Sequence, residues 1–288
     1  MKRNVSRIFK QEDFINVYQT VDSPDIVYKE HMFVSNRIAT IEELKEKRKK
    51  LLAMKNRKEW PEFLIRPNVV ERFNKYSFTA GYPFVKGADL KTYLSLKDVD
   101  LHTCAKFIKK VEDNIYKEKD FVFPDLANRG NIIILQNENT DDIDFKLIDS
   151  DDVQFDGYGG TYISCLIYPC FFEDELIKGI KKCRDGDMYN KQLDIRSIYA
   201  LLYCMLNGYD LFYPCFVERK STNDYEKILN ELNIPTNSSL YEKTMKTIDE
   251  KKPNEAIGDS LYELIECGYE LETYDIDCFG YKHRLIKK

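Results

Sequence analysis

The chain has 288 residues, 43% hydrophobic and 13% aromatic, with a formal net charge of −5 at pH 7, a length that suits one large domain or two modest ones. The acidic balance argues against a general nucleic-acid binder, which usually carries a basic excess. No apolar run reaches the roughly 18 residues of a membrane-spanning helix, the opening MKRNVSRIFKQED holds no apolar signal core, and the eight cysteines form no C-x-x-C pair, so the expectation is a cytoplasmic protein with reduced thiols, no zinc and no membrane partner.

In chain order, residues 14–20 and 26–29 read as β-type runs around an Asp22-Ser23-Pro24-Asp25 turn, with Pro at a favoured position. Residues 41–55 are highly charged, with Leu44, Leu51 and Leu52 forming the narrow apolar stripe of a helix. Residues 64–72 and 76–85 predict two further strands. Gly87 and a short helix over 89–96 follow. The rest reads as mainly helical. Over 101–116, Leu101, Cys104, Ala105, Ile108, Val111 and Ile115 recur every three or four residues, which makes one buried helix face. Residues 194–207 form a second strong helix, with Asp194 as N-cap and Gly208 just past its end. Further helices are expected over 224–232, 240–249 and 256–267.

The polar stretch between these helices carries the chemistry. Asp125 lies in a tight loop. Asn131 leads straight into the apolar run 132–135, and a second run, 145–148, ends in Asp149. Two short strands joined by a turn bring both of their ends together, so Asp125, Asn131 and Asp149 are expected to face one pocket. One Asp near a hydroxyl, plus an Asn and an Asp for Mg²⁺, are the parts a phosphoryl-transfer site needs. Asp151 and Asp152 follow, either assisting at the metal or standing in solvent.

This order resembles the catalytic and metal-binding loops of protein kinases, D-x-x-x-x-N followed by a strand ending in D-F-G. The resemblance covers most of the chain and is better over 82–208 than before it. It implies an α+β, two-lobed protein kinase-like fold: a small β-rich N-lobe over 1–86 and a larger, mainly helical C-lobe over 87–288. It also implies roles. Asp125 accepts or orients the proton of the acceptor hydroxyl, while Asn131 and Asp149 hold Mg²⁺ (or Mn²⁺). Lys29 ends Ile26-Val27-Tyr28-Lys29, which is similar to the family's V-A-I-K strand. There the Lys contacts the α- and β-phosphates of ATP and pairs with a helix Glu, here Glu46, with Glu43 the alternative one turn earlier. In the linker-like Tyr82-Pro83-Phe84-Val85-Lys86-Gly87 the backbone binds adenine, and Val85 can donate where Pro83 cannot. Asp194 braces the catalytic loop.

The chain departs from the family pattern in several places. Phe123-Pro124 replaces His-Arg. Asn131 follows Asp125 by six residues rather than five, which calls for a bulge at Gly130. Ser150-Asp151 replaces Phe-Gly, and Tyr168-Pro169-Cys170 is the nearest remnant of A-P-E. No glycine precedes Gly81, so residues 10–16 serve the phosphates in place of a glycine loop, or nothing does. The function implied is an atypical protein kinase that moves the γ-phosphoryl of ATP to a Ser/Thr hydroxyl of a protein substrate. The departures leave two alternatives open: a pseudokinase that binds a protein partner as a scaffold, and a kinase-fold transferase acting on a small molecule or transferring AMP.

Overall fold

The structure is a computed structural model that describes residues 4–12, 15–33, 41–96, 99–136, 143–159, 257–277 and 280–288, together with Asp194, Ser197, Ile198, Leu201, Leu202 and Met205. The fold is α+β, with antiparallel sheets. It divides into two compact units, Met1–Lys86 with Lys146–Asp151, and Gly87–Phe145 with Asp152–Lys288. Among the described residues no helix is long and apolar enough to cross a membrane. The helices expected over 224–232 and 240–249, Gly208 and the Tyr168-Pro169-Cys170 remnant lie outside the described residues.

The first unit is built on a five-stranded sheet of order β1-β2-β3-β5-β4. Its strands are β1 (Val5–Glu12), β2 (Ile15–Thr20), β3 (Ser23–Met32), β4 (Val69–Asn74) and β5 (Ser77–Pro83), and every pairing is antiparallel. β3 begins at Ser23, so the turn after β2 occupies residues 21–22 rather than 22–25. The strand expected from residue 64 begins at Val69. Pro67 cannot donate to a ladder, and Leu64 makes only a single parallel bridge, to Leu147. That bridge, with Ile65 N–H donating to Leu147 O at 3.0 Å and Leu147 N–H to Phe63 O at 2.7 Å, ties residues 146–151 to residues 63–65 of the first unit.

Helix α1 (Ile41–Asn56) carries Glu42 and Glu43 in its first turn and Lys55 in its last, the charge order that a helix dipole favours. Lys47, Lys50, Leu51 and Met54 stand at i, i+3, i+4 and i+7, which is one helix face. Leu51 and Met54 are fully buried on it, and Lys50 is buried with them.

The second unit holds three small sheets and the longer helices. α2 (Leu90–Leu96) follows the two-residue strand β6 (Ala88–Asp89). α3 (Leu101–Lys117) starts at Asp100, whose carboxylate accepts from Thr103 N–H at 2.7 Å. Its apolar face is buried from Leu101 to Ile115. β7 (Phe121–Val122) pairs with β10 (Gln154–Phe155), and β6 pairs with β8 (Ile132–Gln136), which neighbours β9 (Ile143–Leu147). α4 (Ile257–Glu266) approaches α3 so closely that a Cβ on Gly258 would lie 2.8 Å from Lys109 Cβ, and Gly258 N–H donates to the buried Glu112 carboxylate at 2.9 Å. The chain ends in an antiparallel hairpin, β11 (Tyr269–Asp277) and β12 (Gly280–Lys287), which the sequence reading does not assign.

Candidate functional site

Two groups of side chains bear on chemistry, one in each unit. The first is set by β3. Side chains two residues apart share a sheet face, so Val27, Lys29 and His31 form one row, opposite Tyr82, Ala80 and Phe78 of β5. His31 stacks on Phe78 at 4.7 Å, and the Lys29 ammonium lies 5.3 Å from the Tyr82 ring centroid. Lys29 is 8% exposed. Its Nζ donates to Asp149 Oδ1 at 2.7 Å and lies 3.8 Å from Asp151 Oδ2. Asp149 keeps a third of its side chain exposed.

Asp151 is the centre of this group. Only 3% of it is exposed, so the reading of Asp151 as a solvated neighbour does not hold. The Tyr82 hydroxyl donates to its Oδ1 at 2.5 Å. Its Oδ2 lies 3.4 Å from His31 Nε2 and 3.6 Å from Lys47 Nζ, and Lys50 Nζ donates to its carbonyl at 2.8 Å. Burial by itself raises a carboxyl pKa, but Lys29, Lys47 and the Tyr82 hydroxyl outweigh it and hold Asp151 well below the usual carboxylate range. Burial, with Lys47 and Lys29 opposing a further positive charge and Asp151 favouring one, lowers His31 to about 3. His31 is therefore neutral near pH 7, and the lysines carry the counter-charge.

The structure does not bring Glu46 to Lys29. The Glu46 side chain is 63% exposed and pairs with Lys49 at 3.6 Å. The residues of α1 that reach this group are Lys47 and Lys50, the polar members of the buried helix face. Glu43 is also exposed. Val85 follows β5, half-buried, and its N–H donates to no acceptor among the described residues. Phe84 N–H just before it is taken by Asp25 O at 2.8 Å.

The second group is the Asp125 loop. Phe121, Phe123, Phe155 and Tyr158 pack ring on ring, with centroids 5.3–6.1 Å apart, and fix the strand that delivers the loop. Phe123 N–H donates to Asp194 Oδ1 at 2.7 Å, and Asp194 is fully buried. The loop turns through Leu126 N–H to Phe123 O at 3.1 Å and Asn128 N–H to Asp125 O at 3.2 Å. The six-residue spacing needs no bulge at Gly130. A 3₁₀ turn, Arg129–Asn131, stands there, capped by the Asn128 side chain accepting from Gly130 N–H at 3.1 Å. Asp125 Oδ2 then accepts from Asn131 Nδ2 at 2.5 Å and from Asn128 Nδ2 at 3.3 Å. Of the two asparagines, Asn131 is the nearer, and it leads into β8.

Thus Lys29 and Asp149 stand together in one unit, and Asp125 and Asn131 stand together in the other. Among the described residues no three His, Cys, Asp or Glu side chains gather as a metal cage. A Mg²⁺ held by one carboxylate and by a nucleotide's own phosphates needs none. What the sequence reading missed is the place of Asp151 as a buried counter-charge to Lys29 and Lys47. Its signal is an acidic run, Asp149-Ser150-Asp151-Asp152, directly after the apolar residues 145–148, where alternation places Asp149 and Asp151 on one side. The sequence matches no protein-family model and no curated protein.

Proposed function

We propose that the chain is an atypical, protein kinase-like phosphotransferase that moves the γ-phosphoryl of ATP to a Ser/Thr hydroxyl of a protein substrate. The observation that carries this reading is the Lys29–Asp149 pair, a buried cation and a part-exposed carboxylate 2.7 Å apart. Such a cation suits the α- and β-phosphates and such a carboxylate suits a divalent metal. In this reading Asp149 and Asn131 would hold Mg²⁺ or Mn²⁺, which when bound would neutralise phosphate charge, and the Val85 N–H, which meets no acceptor among the described residues, would receive adenine. Asp125, oriented by two side-chain amides, takes the hydroxyl proton as the hydroxyl oxygen bonds to the γ-phosphorus and the bond to the β–γ bridging oxygen breaks, releasing ADP. The brace from Asp194 to Phe123 N–H holds the loop in that orientation.

A second reading, a nucleotide-binding scaffold without transfer, is favoured by one observation. β1 and β2 pair as far as Glu12 with Ile15, and the sequence holds no glycine before Gly81 to bring backbone N–H groups onto phosphates. An assay with γ-labelled ATP and Mg²⁺ or Mn²⁺ decides between the two. Label moving to the chain itself or to protein acceptors, and lost in Asp149→Ala, supports the kinase. Nucleotide binding with no transfer to itself, to generic proteins or to small hydroxyl compounds supports the scaffold.

A further inference from the structure

We infer that Asp151 is the positioning residue of Lys29: the carboxylate that neutralises this buried cation and aims it comes from the segment after β9, while α1 presents cations to the same place. The inference deepens the nucleotide-binding reading above and rests on it for its functional half. Four observations carry it. The Asp151 carboxylate is almost wholly buried and meets Lys29, His31, Lys47 and the Tyr82 hydroxyl within 3.8 Å. Its carbonyl is held by Lys50, so both the side chain and the backbone are fixed. The buried face of α1 offers Lys47 and Lys50 at the positions where a helix carboxylate would have to stand. The acidic residue nearest them in sequence, Glu46, points to solvent.

The physical consequence is specific. A buried ammonium needs a buried counter-charge, and Asp149 alone cannot both serve Lys29 and be given over to a metal. Asp151 supplies a second carboxylate, too enclosed for a hydrated metal to enter. Lys29 therefore keeps a buried counter-charge, and its place, when Asp149 is engaged elsewhere. Lys47, 3.6 Å from the same Asp151 oxygen, keeps that carboxylate compensated from the other side.

The first arm of the test needs no nucleotide. In a double-mutant cycle of Lys29→Met and Asp151→Asn, the urea midpoint of the double variant should fall by clearly less than the sum of the single losses, because each substitution removes the same pair. The second arm reads positioning. By Mg²⁺-dependent titration, Asp151→Asn should weaken ATP on the order of tenfold, the scale of a charged hydrogen bond, and leave adenosine unchanged, whereas a general loss of structure weakens both. The third arm is rescue. Lys47→Glu added to Asp151→Asn returns a carboxylate to the same cations from the helix, and should restore both the midpoint and the affinity for ATP. If Asp151→Asn alone does not fold, this paired variant still decides, because it must fold with a midpoint near that of the wild type. An additive cycle, coupling of Lys29 to Glu46 or Glu43 instead, equal weakening of ATP and adenosine, or a paired variant no better than the single one each overturns the assignment. A coupled cycle in a protein that binds no ATP at all upholds the counter-ion and removes the nucleotide reading.

Discussion

The Nζ of Lys29 and the Oδ1 of Asp149 lie 2.7 Å apart although 120 residues separate them in the chain. The contact exists because residues 146–151 join the first unit through the Leu64–Leu147 bridge, which carries an acidic segment to the row of β3 that holds Lys29 and His31. An exposed ion pair contributes little. This one is mostly enclosed, so its geometry is fixed by the surrounding sheet and helix.

If Asp149 holds the metal that bridges to phosphate, ATP should stabilise the protein only in the presence of Mg²⁺ or Mn²⁺. The effect should be small, since no glycine loop clamps the phosphates. Ligand at about ten times its Kd adds about 1.4 kcal/mol. Thermal unfolding with and without EDTA measures this, and the stabilisation should vanish in Asp149→Ala. Equal stabilisation in EDTA removes Asp149 from the metal.

Asp125→Asn should leave nucleotide binding nearly intact while transfer falls by on the order of 10²–10⁴-fold, the usual contribution of a positioned acid–base group. The substitution is close to isosteric and keeps one oxygen to accept from Asn131, so the 3₁₀ turn should persist. A transfer rate unchanged by the substitution assigns the proton to another group.

The Asp194 brace is testable without activity. Asp194→Ala leaves Phe123 N–H in a buried place without its acceptor, at a cost of about 1–3 kcal/mol, whereas Asp194→Asn can still offer an oxygen and should lose less. Urea denaturation of the two variants separates them. Equal losses mean that the hydrogen bond at 2.7 Å adds nothing to stability and that the loss follows the carboxylate charge.

How much of this is legible in the sequence depends on how each element is stabilised. α3 and α4 are legible because burial of one face imposes the three-to-four spacing seen from Leu101 to Ile115. β1 is not, because all eight of its residues are exposed and no alternation marks it. The last hairpin carries a signal, the apolar–acidic alternation from Tyr269 to Thr273, which the sequence reading does not use. In α1 the mismatch is one of charge. A helix glutamate suits a strand lysine by resemblance, yet the stripe that packs Leu51 and Met54 also carries Lys47 and Lys50 inward. Nothing in a single sequence says that a carboxylate 101 residues after Lys50, Asp151, compensates them. The Asp125–Asn131 spacing likewise cannot distinguish a glycine bulge from a capped 3₁₀ turn.

The contact of α4 with α3 at Gly258 gives a prediction independent of the candidate site. A Cβ there would meet Lys109 Cβ at 2.8 Å and Lys109 Cα at 2.9 Å, and backbone atoms cannot swing aside as a side-chain tip can. Gly258→Ala should therefore push the helices apart and destabilise by about 1–3 kcal/mol, the usual cost of overpacking. An unchanged unfolding midpoint would show that the two helices have room to part.

His31 should make the protein sensitive to acid. It is enclosed by Phe78 of β5, Lys29 of its own strand, Lys47 of α1 and Asp151. Its pKa falls from 6.5 to about 3, chiefly through burial. The sign follows from proton counts. Between those two values the unfolded chain binds a proton at this residue and the native protein does not, so each step down in pH favours unfolding. The contribution is fully present above about pH 6.5, declines through the window, and is gone by about pH 3, with a slope approaching about 1.4 kcal/mol per pH unit for one proton. His31→Gln has no such titration. Its stability is expected to be lower near neutrality, where the stacking on Phe78 is lost, but flatter as the pH falls. Urea midpoints of both proteins, taken from about pH 7.5 to about pH 4.5, give the comparison, and the other titrating groups common to both proteins largely cancel in the difference. The curves should converge towards acid. Parallel curves would mean that His31 takes up its proton in the native protein as readily as in the unfolded chain.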